Sequence, residues 1–143
     1  MKLITKDIDY AVKALCRIAR DSEKIISVKE LAKELNIPKP FLRKIMQILQ
    51  KDGMLKSYKG PNGGFLLASS PEEILLIRII EIFQGPLKLN ECLFRRGICA
   101  DTTTCVLKGK IDKIERRVIS ELRVITLASL LEKRRKSDDT KKR

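Results

Sequence analysis

Apolar residues recur every three to four positions along most of the chain, which predicts a mainly helical protein. The first such stretch covers residues 5–20. Ser27 is followed three residues later by Glu30, which is the spacing of a capping box, and this predicts a second helix that ends at Asn36. A third helix is predicted over residues 38–53, where a proline suits the first turn and a glycine suits the end.

A glycine-rich turn between two short strand candidates follows the third helix. The candidate strands are residues 54–58 and 65–68, and the residues between them, 59–64, include three glycines and one proline. The second and third helices, joined by a tight connection, have the pattern of a helix-turn-helix. Because a hairpin directly after a recognition helix forms the wing of a winged helix, the pattern predicts a winged helix-turn-helix domain.

Beyond the hairpin, the apolar pattern predicts two further helices separated by a polar segment. A fourth helix is predicted from about residue 71 to residue 84, capped by Ser69 or Ser70 and stopped by the glycine and proline at 85–86. Residues 107–132 are rich in charged side chains but carry one apolar stripe at helical spacing. The stripe consists of Ile111, Ile114, Val118, Leu122 and Ile125.

The stripe on the last helix predicts how the chain associates. A long amphipathic helix beyond a compact domain usually buries its apolar face against a partner, most simply a second copy, and packing against the first helix is compatible with this. We therefore predict a mainly α-helical protein with one small β-hairpin and four parts. These are a winged helix-turn-helix DNA-binding domain at 1–84, a cysteine-bearing loop at 85–106, a dimerisation helix region at 107–132 and a charged, disordered tail at 133–143.

The net charge gives information about the binding partner of the protein rather than about its fold. The 143 residues include 31 Lys and Arg against 18 Asp and Glu, a net charge of +13, which favours nucleic acid or an anionic membrane surface. The basic residues lie within a helix-turn-helix instead of forming one basic amphipathic helix, and no apolar run is long enough to span a membrane. DNA is therefore the predicted partner, with no membrane, and the cysteine usage fits a reducing cytoplasm.

Three of the four cysteines, Cys92, Cys99 and Cys105, fall within fourteen residues that are otherwise mostly polar, small or charged. Soft thiolates in one loop favour zinc, copper(I) or an iron–sulfur cluster. The gaps of six and five residues lack the short pairs of structural zinc sites, and the absence of histidine disfavours a catalytic zinc or a histidine-activated nucleophile. An iron–sulfur cluster is the leading interpretation and a redox-active thiol set is the second. Cys16, within the first helix, is interpreted as a packed side chain.

Several segments together resemble the Rrf-type family of bacterial winged-helix regulators. They are DYAVKALCRIA, SVKELAKELNIPKPFLRKIMQILQKDGMLKSYKGPNGGFLLA, PEEILLIRIIEIFQGPL, the three-cysteine loop and ITLASLL, in that order along the chain. The resemblance implies a homodimer with a crossed C-terminal helix that binds a near-palindromic operator in double-stranded DNA. It also implies a transcription regulator, in the first instance a repressor, that is not an enzyme and that senses redox state, nitric oxide or iron–sulfur status through a cluster.

The residue types in the third helix predict how it contacts DNA. Lys39, Pro40, Arg43 and Lys44 occupy its first two turns, the part that enters the major groove. Arg43 is the candidate for reading a base, because its planar fork pairs bidentately with guanine, whereas the lysines are candidates for bases or phosphates. The alternative for each lysine is a solvated surface charge. Phe41 and Leu42 are expected to anchor the helix in the core.

The hairpin turn supplies the second set of predicted DNA contacts. Lys59 matches the basic residue that the family inserts into the minor groove, as the resemblance implies. The neighbouring backbone is expected close to phosphate, and the candidate residues there are Gly60, Asn62 and Gly63.

Three thiolates leave an iron–sulfur cluster one ligand short. In IscR-like members of the family, a histidine three residues after the last cysteine completes the site, but Lys108 occupies that position here. NsrR-like members use an aspartate of the first helix, contributed by the other subunit, and Asp9 matches it, with Asp7 as the near neighbour. The alternative for Asp9 is an ordinary carboxylate at a helix N-terminus. The cofactor implied by the resemblance is an iron–sulfur cluster, 2Fe–2S in preference to 4Fe–4S.

Two other interpretations of the chain remain open. CymR-like members of the family suggest a metal-free DNA-binding regulator controlled by thiol oxidation or by a protein partner, although those members lack the three-cysteine set. A thiol oxidoreductase is the enzyme hypothesis, and the absence of a C-x-x-C motif and of histidine counts against it.

Overall fold

The first half of the chain folds into three helices that share one core. In the computed structural model, which describes residues 2–89 and 105–131, they are α1 (Lys6–Arg20), α2 (Val28–Leu35) and α3 (Lys39–Lys51). The apolar positions predicted from the helical spacing point inward, and the most deeply buried of these side chains are Ile8, Leu15, Ile18, Leu31, Leu42, Met46 and Leu49.

The turn between α2 and α3 confirms the predicted helix-turn-helix. At the start of α2, the Ser27 hydroxyl accepts the Glu30 N–H at 3.1 Å, and the Glu30 carboxylate accepts the Ser27 N–H at 3.4 Å, so the predicted capping box is present. Asn36 ends α2 in the left-handed conformation with φ of 54°. The next residue, Ile37, is buried and fixes the connection to the core, so that α3 begins immediately afterwards.

The predicted wing is present as a two-stranded antiparallel sheet. Strands β1 (Leu55–Tyr58) and β2 (Gly64–Leu67) pair with Leu55 opposite Leu67 and Tyr58 opposite Gly64. The hairpin is also fixed to the segment that precedes α2, because Ile26 and Phe65 exchange two backbone hydrogen bonds of 3.2 and 2.8 Å. This contact holds the wing against the helix-turn-helix.

The fourth helix, α4 (Leu76–Gln84), begins later than the sequence predicts. The predicted start near residue 71, with Ser69 or Ser70 as the cap, is wrong. The Glu73 N–H donates to the Ser70 carbonyl at 3.0 Å in a turn, and Leu75 then forms an extended bridge with Thr126. An extended residue cannot also be helical, so the bridge determines where α4 starts.

Helix α5 (Val106–Arg123) is shorter than the predicted stretch 107–132. It stops because the chain turns back to the start of α4: the Leu76 N–H donates to the Ile125 carbonyl at 2.9 Å, and the Leu127 N–H donates to the Ile74 carbonyl at 2.8 Å. Residues 127–131 then resume helical geometry. Ile125, the last member of the predicted stripe, therefore lies outside α5.

A reciprocal pair of hydrogen bonds starts the helical turn at 127–131. The Thr126 hydroxyl accepts the Ser129 N–H at 3.1 Å, and the Ser129 hydroxyl accepts the Thr126 N–H at 3.1 Å. This arrangement is a capping box with serine in the place of Glu or Gln. The sequence TLAS carries the signal for this turn, but the apolar pattern of the surrounding stretch obscures it.

Two charged contacts link helices of the helix-turn-helix to their neighbours. The Arg17 guanidinium of α1 binds the Glu34 carboxylate of α2, and this hydrogen bond lowers the pKa of Glu34. The Arg78 Nη2 of α4 lies 2.8 Å from Oδ1 of Asp52, the residue that caps the C-terminus of α3. α3 is therefore linked to the helix that packs against α5.

The predicted tail at 133–143 and most of the cysteine-bearing loop lie outside the described residues. Within residues 2–89 and 105–131, none of the helices is both long enough and apolar enough to pass through a membrane.

Candidate nucleic-acid interface and metal-binding residues

The first two turns of α3 carry the predicted DNA-contacting side chains on the solvent side. Lys39 and Pro40 are the first two residues of the helix, where the fixed φ of proline is tolerated. Lys39, Pro40, Arg43 and Lys44 are all exposed. The reason is the helical period: Leu42, Ile45, Met46 and Leu49 occupy the opposite face and are buried, which turns the basic residues outward.

Phe41 corrects one expectation about α3. It was expected to anchor the helix in the core together with Leu42, but its side chain is 50% exposed while Leu42 is fully buried. Phe41 lies beside the buried face rather than on it. Its ring meets Tyr10 of α1 edge to face, with ring centres 6.2 Å apart, so it packs at the rim of the core.

The wing turn exposes the predicted lysine at its tip. Lys59 and Asn62 are exposed, and the Gly63 N–H donates to the Gly60 carbonyl at 3.0 Å to close the turn. Because α3 packs against β1, the same small domain presents both the turn and the basic helix face. The predicted residues therefore fall on two exposed elements that the fold holds in fixed positions.

The glycines of the wing have structural roles that the sequence prediction did not separate from DNA binding. Gly60 has a φ of +108°, which side chains rarely adopt. A Cβ atom on Gly63 would lie 2.2 Å from the Tyr58 carbonyl oxygen. On Gly64 it would lie 2.2 Å from the Ile26 carbonyl oxygen. The close approach of the backbone therefore explains why positions 63 and 64 are glycine, independently of any contact with DNA.

Cys105 is the described member of the three-cysteine set, while Cys92 and Cys99 lie outside the described residues. It is the N-cap of α5, and its sulfur accepts the Lys108 N–H at 3.4 Å. The N-terminus of a helix carries a partial positive charge, which suits an anionic sulfur ligand. The side chain is half-buried, so it remains accessible.

The other residues considered as cluster ligands lie on α1 and α5. Lys108, at the position of the family histidine, pairs its ammonium with the Asp112 carboxylate at 2.6 Å, which is the behaviour of a charged lysine. Asp9 lies in the first turn of α1 with its side chain 45% exposed and 2.7 Å from the Lys13 ammonium. Asp7, in the same turn, is exposed.

Within residues 2–89 and 105–131 of one chain, no three Cys, Asp or Glu side chains come together as a metal site. The predicted donor set includes Cys92 and Cys99, which lie outside the described residues, so it stays a prediction. The soft thiolate chemistry of that set fits an iron–sulfur cluster. Cys16 is buried in α1, and its interpretation as a packed side chain is confirmed.

Gln47 is an exposed residue of α3 that the sequence prediction omitted. It is four residues after Arg43 and three after Lys44, a spacing that places it on the same helix face. The predicted DNA-contacting residues of α3, which end at Lys44, lie in its first two turns, whereas Gln47 lies in the third. The spacing of three and four residues from Lys44 and Arg43 is the sequence signal that identifies Gln47 as part of this face.

The architecture defines the class of the protein. A helix-turn-helix with an exposed basic second helix, followed by a hairpin, is a winged helix-turn-helix. The sequence profile of the Rrf2 family, described as iron-dependent transcriptional regulators, matches residues 4–133, and the chain belongs to this family.

Individual relatives agree with this assignment. The transcriptional regulator NsrR of Halalkalibacterium halodurans is 32% identical over 130 residues, which cover 90% of this chain and 89% of that protein. The structure of T. potens IscR has a TM-score of 0.72 at 28% identity, covering 93% of this chain and 88% of that one. CymR, the global cysteine regulator of B. subtilis, has a TM-score of 0.77 at 25% identity, with 92% and 98% covered. The predicted class, a DNA-binding transcription regulator that is not an enzyme, is confirmed.

Proposed function

We propose that the protein represses transcription by binding a near-palindromic operator as a homodimer, and that an iron–sulfur cluster held by Cys92, Cys99 and Cys105 controls its affinity for DNA. The observation that carries the DNA-binding part is the cationic solvent face of α3, opposite a fully buried apolar face. Its orientation is fixed, so Lys39, Arg43 and Lys44 approach a duplex together.

Different side chains have different tasks at the DNA. The Arg43 guanidinium reads one base in the major groove, because its two parallel donors match guanine O6 and N7. Lys59 binds the phosphate backbone or the minor groove from the wing turn, together with the backbone of Gly60, Asn62 and Gly63. Lys39 and Lys44 provide charge on the leading turns of α3.

The first prediction separates these tasks. Arg43→Ala will cost about 1–3 kcal/mol of binding and will relax the base preference at one operator position, whereas Lys59→Ala will weaken binding to all sequences and reduce the salt dependence. Fluorescence anisotropy on the wild-type operator and its single-base variants measures both effects. Lys113→Ala, on α5, is the control and should leave affinity unchanged. An equal loss on every sequence for Arg43→Ala would identify Arg43 as a phosphate contact.

The surface of α5 favours a homodimer. Leu122 packs within its own chain, so that end of the predicted stripe belongs to the intramolecular core. Towards the N-terminus, Leu107 and Ile114 are 68% and 50% exposed and lie seven residues, or two turns, apart on one face. Covering them with the same face of a second chain removes both from water.

The second prediction tests this association. Light scattering at micromolar concentration will give the mass of two 16.4 kDa chains for the wild type and of one chain for Leu107→Glu combined with Ile114→Glu. Glutamate at these positions places a charge in the interface, where its desolvation opposes association. Lys113→Glu introduces the same side chain at an exposed polar position of α5 and should remain dimeric. A monomeric wild type would contradict the proposal.

The cluster would contribute redox and ligand-exchange chemistry to the protein when bound. Cys105 would hold it from the N-cap position of α5, and Asp9 of the partner subunit would be the fourth ligand. Binding can change DNA affinity only if it favours one arrangement of the two recognition helices over another. A physical connection exists within the described residues, since α5 ends in backbone pairing with 74–76 and Arg78 of α4 binds Asp52 at the end of α3.

The decisive experiment compares DNA affinity in the two states of the protein. Anaerobically purified protein is analysed for iron, sulfide and zinc, and its operator affinity is measured before and after removal of the cluster by a chelator. We expect iron and sulfide, and an affinity that differs between the states. Zinc or no metal would exclude the cluster and favour a regulator controlled by thiol oxidation.

A further inference from the structure

We propose that Gln47 is a specificity-determining residue that reads an adenine one or two base pairs from the guanine read by Arg43. The inference rests on the proposed function, in which the exposed face of α3 enters the major groove. It extends the reading surface from two turns of α3 to three and adds a base whose paired acceptor and donor the cationic residues cannot match.

The side-chain amide of Gln47 does not stabilise the fold of the described residues. Its neighbours on α3, Met46 and Leu49, are fully buried, so Gln47 points away from the core. Among the described residues its side-chain amide makes no hydrogen bond. The Gln84 amide, in contrast, donates to the Lys2 carbonyl at 3.3 Å and helps to hold the N-terminal segment.

The geometry of α3 sets which base Gln47 can reach. Arg43, Lys44 and Gln47 are separated by helical spacings of three and four residues and share the solvent face. Four residues advance about 6 Å along the helix axis, and successive bases along one DNA strand advance about 3.4 Å. A helix lying along the groove therefore brings Gln47 one to two base pairs beyond the base at Arg43.

The chemistry of the amide selects the base. Adenine presents an acceptor at N7 and a donor at N6 in the major groove, and a glutamine amide offers the complementary N–H and C=O. Arginine and lysine have only donors and cannot accept from N6. A neutral amide also gains little from phosphate charge, so its location in the middle of a cationic face favours contact with a base rather than with the backbone.

Gln50 provides a matched control on the same helix. It is also exposed, but it lies three residues further along, next to the last residue of α3, Lys51. Gln50 is thus one turn further than Gln47 from the N-terminal end of α3, which is the end that enters the groove. The two glutamines therefore differ in depth along the groove and not in side-chain chemistry.

The test begins with the full chain and a library of random double-stranded DNA. Wild-type protein, Gln47→Ala and Gln50→Ala each select duplexes, which are sequenced, and affinities for the enriched duplex and its single-base-pair variants are measured by anisotropy. We expect the wild type and Gln50→Ala to require an A·T pair one or two positions from the arginine-dependent G·C pair. For these two proteins, the affinity for A·T at that position should exceed the affinity for other base pairs by about 5- to 150-fold. In Gln47→Ala this ratio should fall to about one, while the dependence of affinity on salt concentration stays unchanged.

The outcomes separate this inference from the proposed function. If Gln47→Ala enriches the same motif, or weakens binding equally on every duplex, Gln47 does not read a base, and the DNA-binding proposal stands. If the wild type enriches no motif, sequence-specific binding itself fails and the inference fails with it. A thermal melting curve for each variant shows that a loss of preference is not a loss of fold, since the position is on the surface.

Discussion

Anaerobically purified protein with Cys92→Ser, Cys99→Ser or Cys105→Ser will lack the visible absorbance of an iron–sulfur cluster, whereas Cys16→Ser will retain it. Removal of one thiolate leaves a cluster two ligands short in its own chain, since a serine hydroxyl is a poor ligand for this site. Cys16 is buried in α1 and belongs to the core, so its replacement changes packing and not metal binding. The measurement is the visible spectrum together with iron and sulfide per chain.

The same measurement tests the fourth ligand. Asp9→Ala is expected to lower the cluster content, because its carboxylate is the proposed ligand from the partner subunit. Asp7→Ala, in the same helical turn, and Lys13→Ala, which removes only the ion pair of Asp9, are the controls and should keep the cluster. Full cluster content in Asp9→Ala would exclude this carboxylate while leaving the three cysteines in place.

Gly64→Ala will lower the free energy of unfolding by about 1–3 kcal/mol and weaken operator binding. The added Cβ would lie 2.2 Å from the Ile26 carbonyl oxygen and 2.5 Å from its carbon. These are backbone atoms in the bridge between Ile26 and Phe65, so relief of the clash requires the wing to separate from the segment before α2. The measurement is urea unfolding at fixed protein concentration, combined with anisotropy.

A second glycine provides the comparison for this substitution. Gly109 lies in α5, and a Cβ there would meet no atom within 4 Å. Gly109→Ala should therefore raise the free energy of unfolding by up to about 1 kcal/mol, because alanine is the better helix former. If both variants had the stability of the wild type, the close approach of the wing to Ile26 would not exist in solution.

The elements that the sequence predicted well are those with local signals. Ser27 and Glu30 specify a capping box within four residues, Asn36 specifies the left-handed end of α2, and the glycines at 60, 63 and 64 specify a turn. Each of these interactions joins residues that are close in the chain. Local chemistry was therefore sufficient to predict the winged helix-turn-helix.

The sequence-based predictions are wrong where contacts between residues distant in the chain determine the structure. The start of α4 and the end of α5 are set by pairing between 74–76 and 125–127, which no periodicity near either segment reveals. Phe41 fits a helical apolar pattern, but its exposure depends on how α1 packs beside α3. The proposed cluster site depends on the cysteine-bearing segment and on a second chain, so the fourth ligand followed only from the family resemblance.

Helix α5 is held in its middle and at its C-terminal end, while Cys105 marks the opposite end. Backbone hydrogen bonds join the segment after α5 to Ile74 and Leu76, and the Glu115 carboxylate of α5 accepts the Leu89 N–H at 2.9 Å. The segment from Cys105 to Glu115 rises about 15 Å. A displacement of about 1 Å at Cys105 then corresponds to a rotation of about 4° of this segment. The length of the segment therefore sets how far a movement at the sulfur can tilt α5 against the rest of the domain.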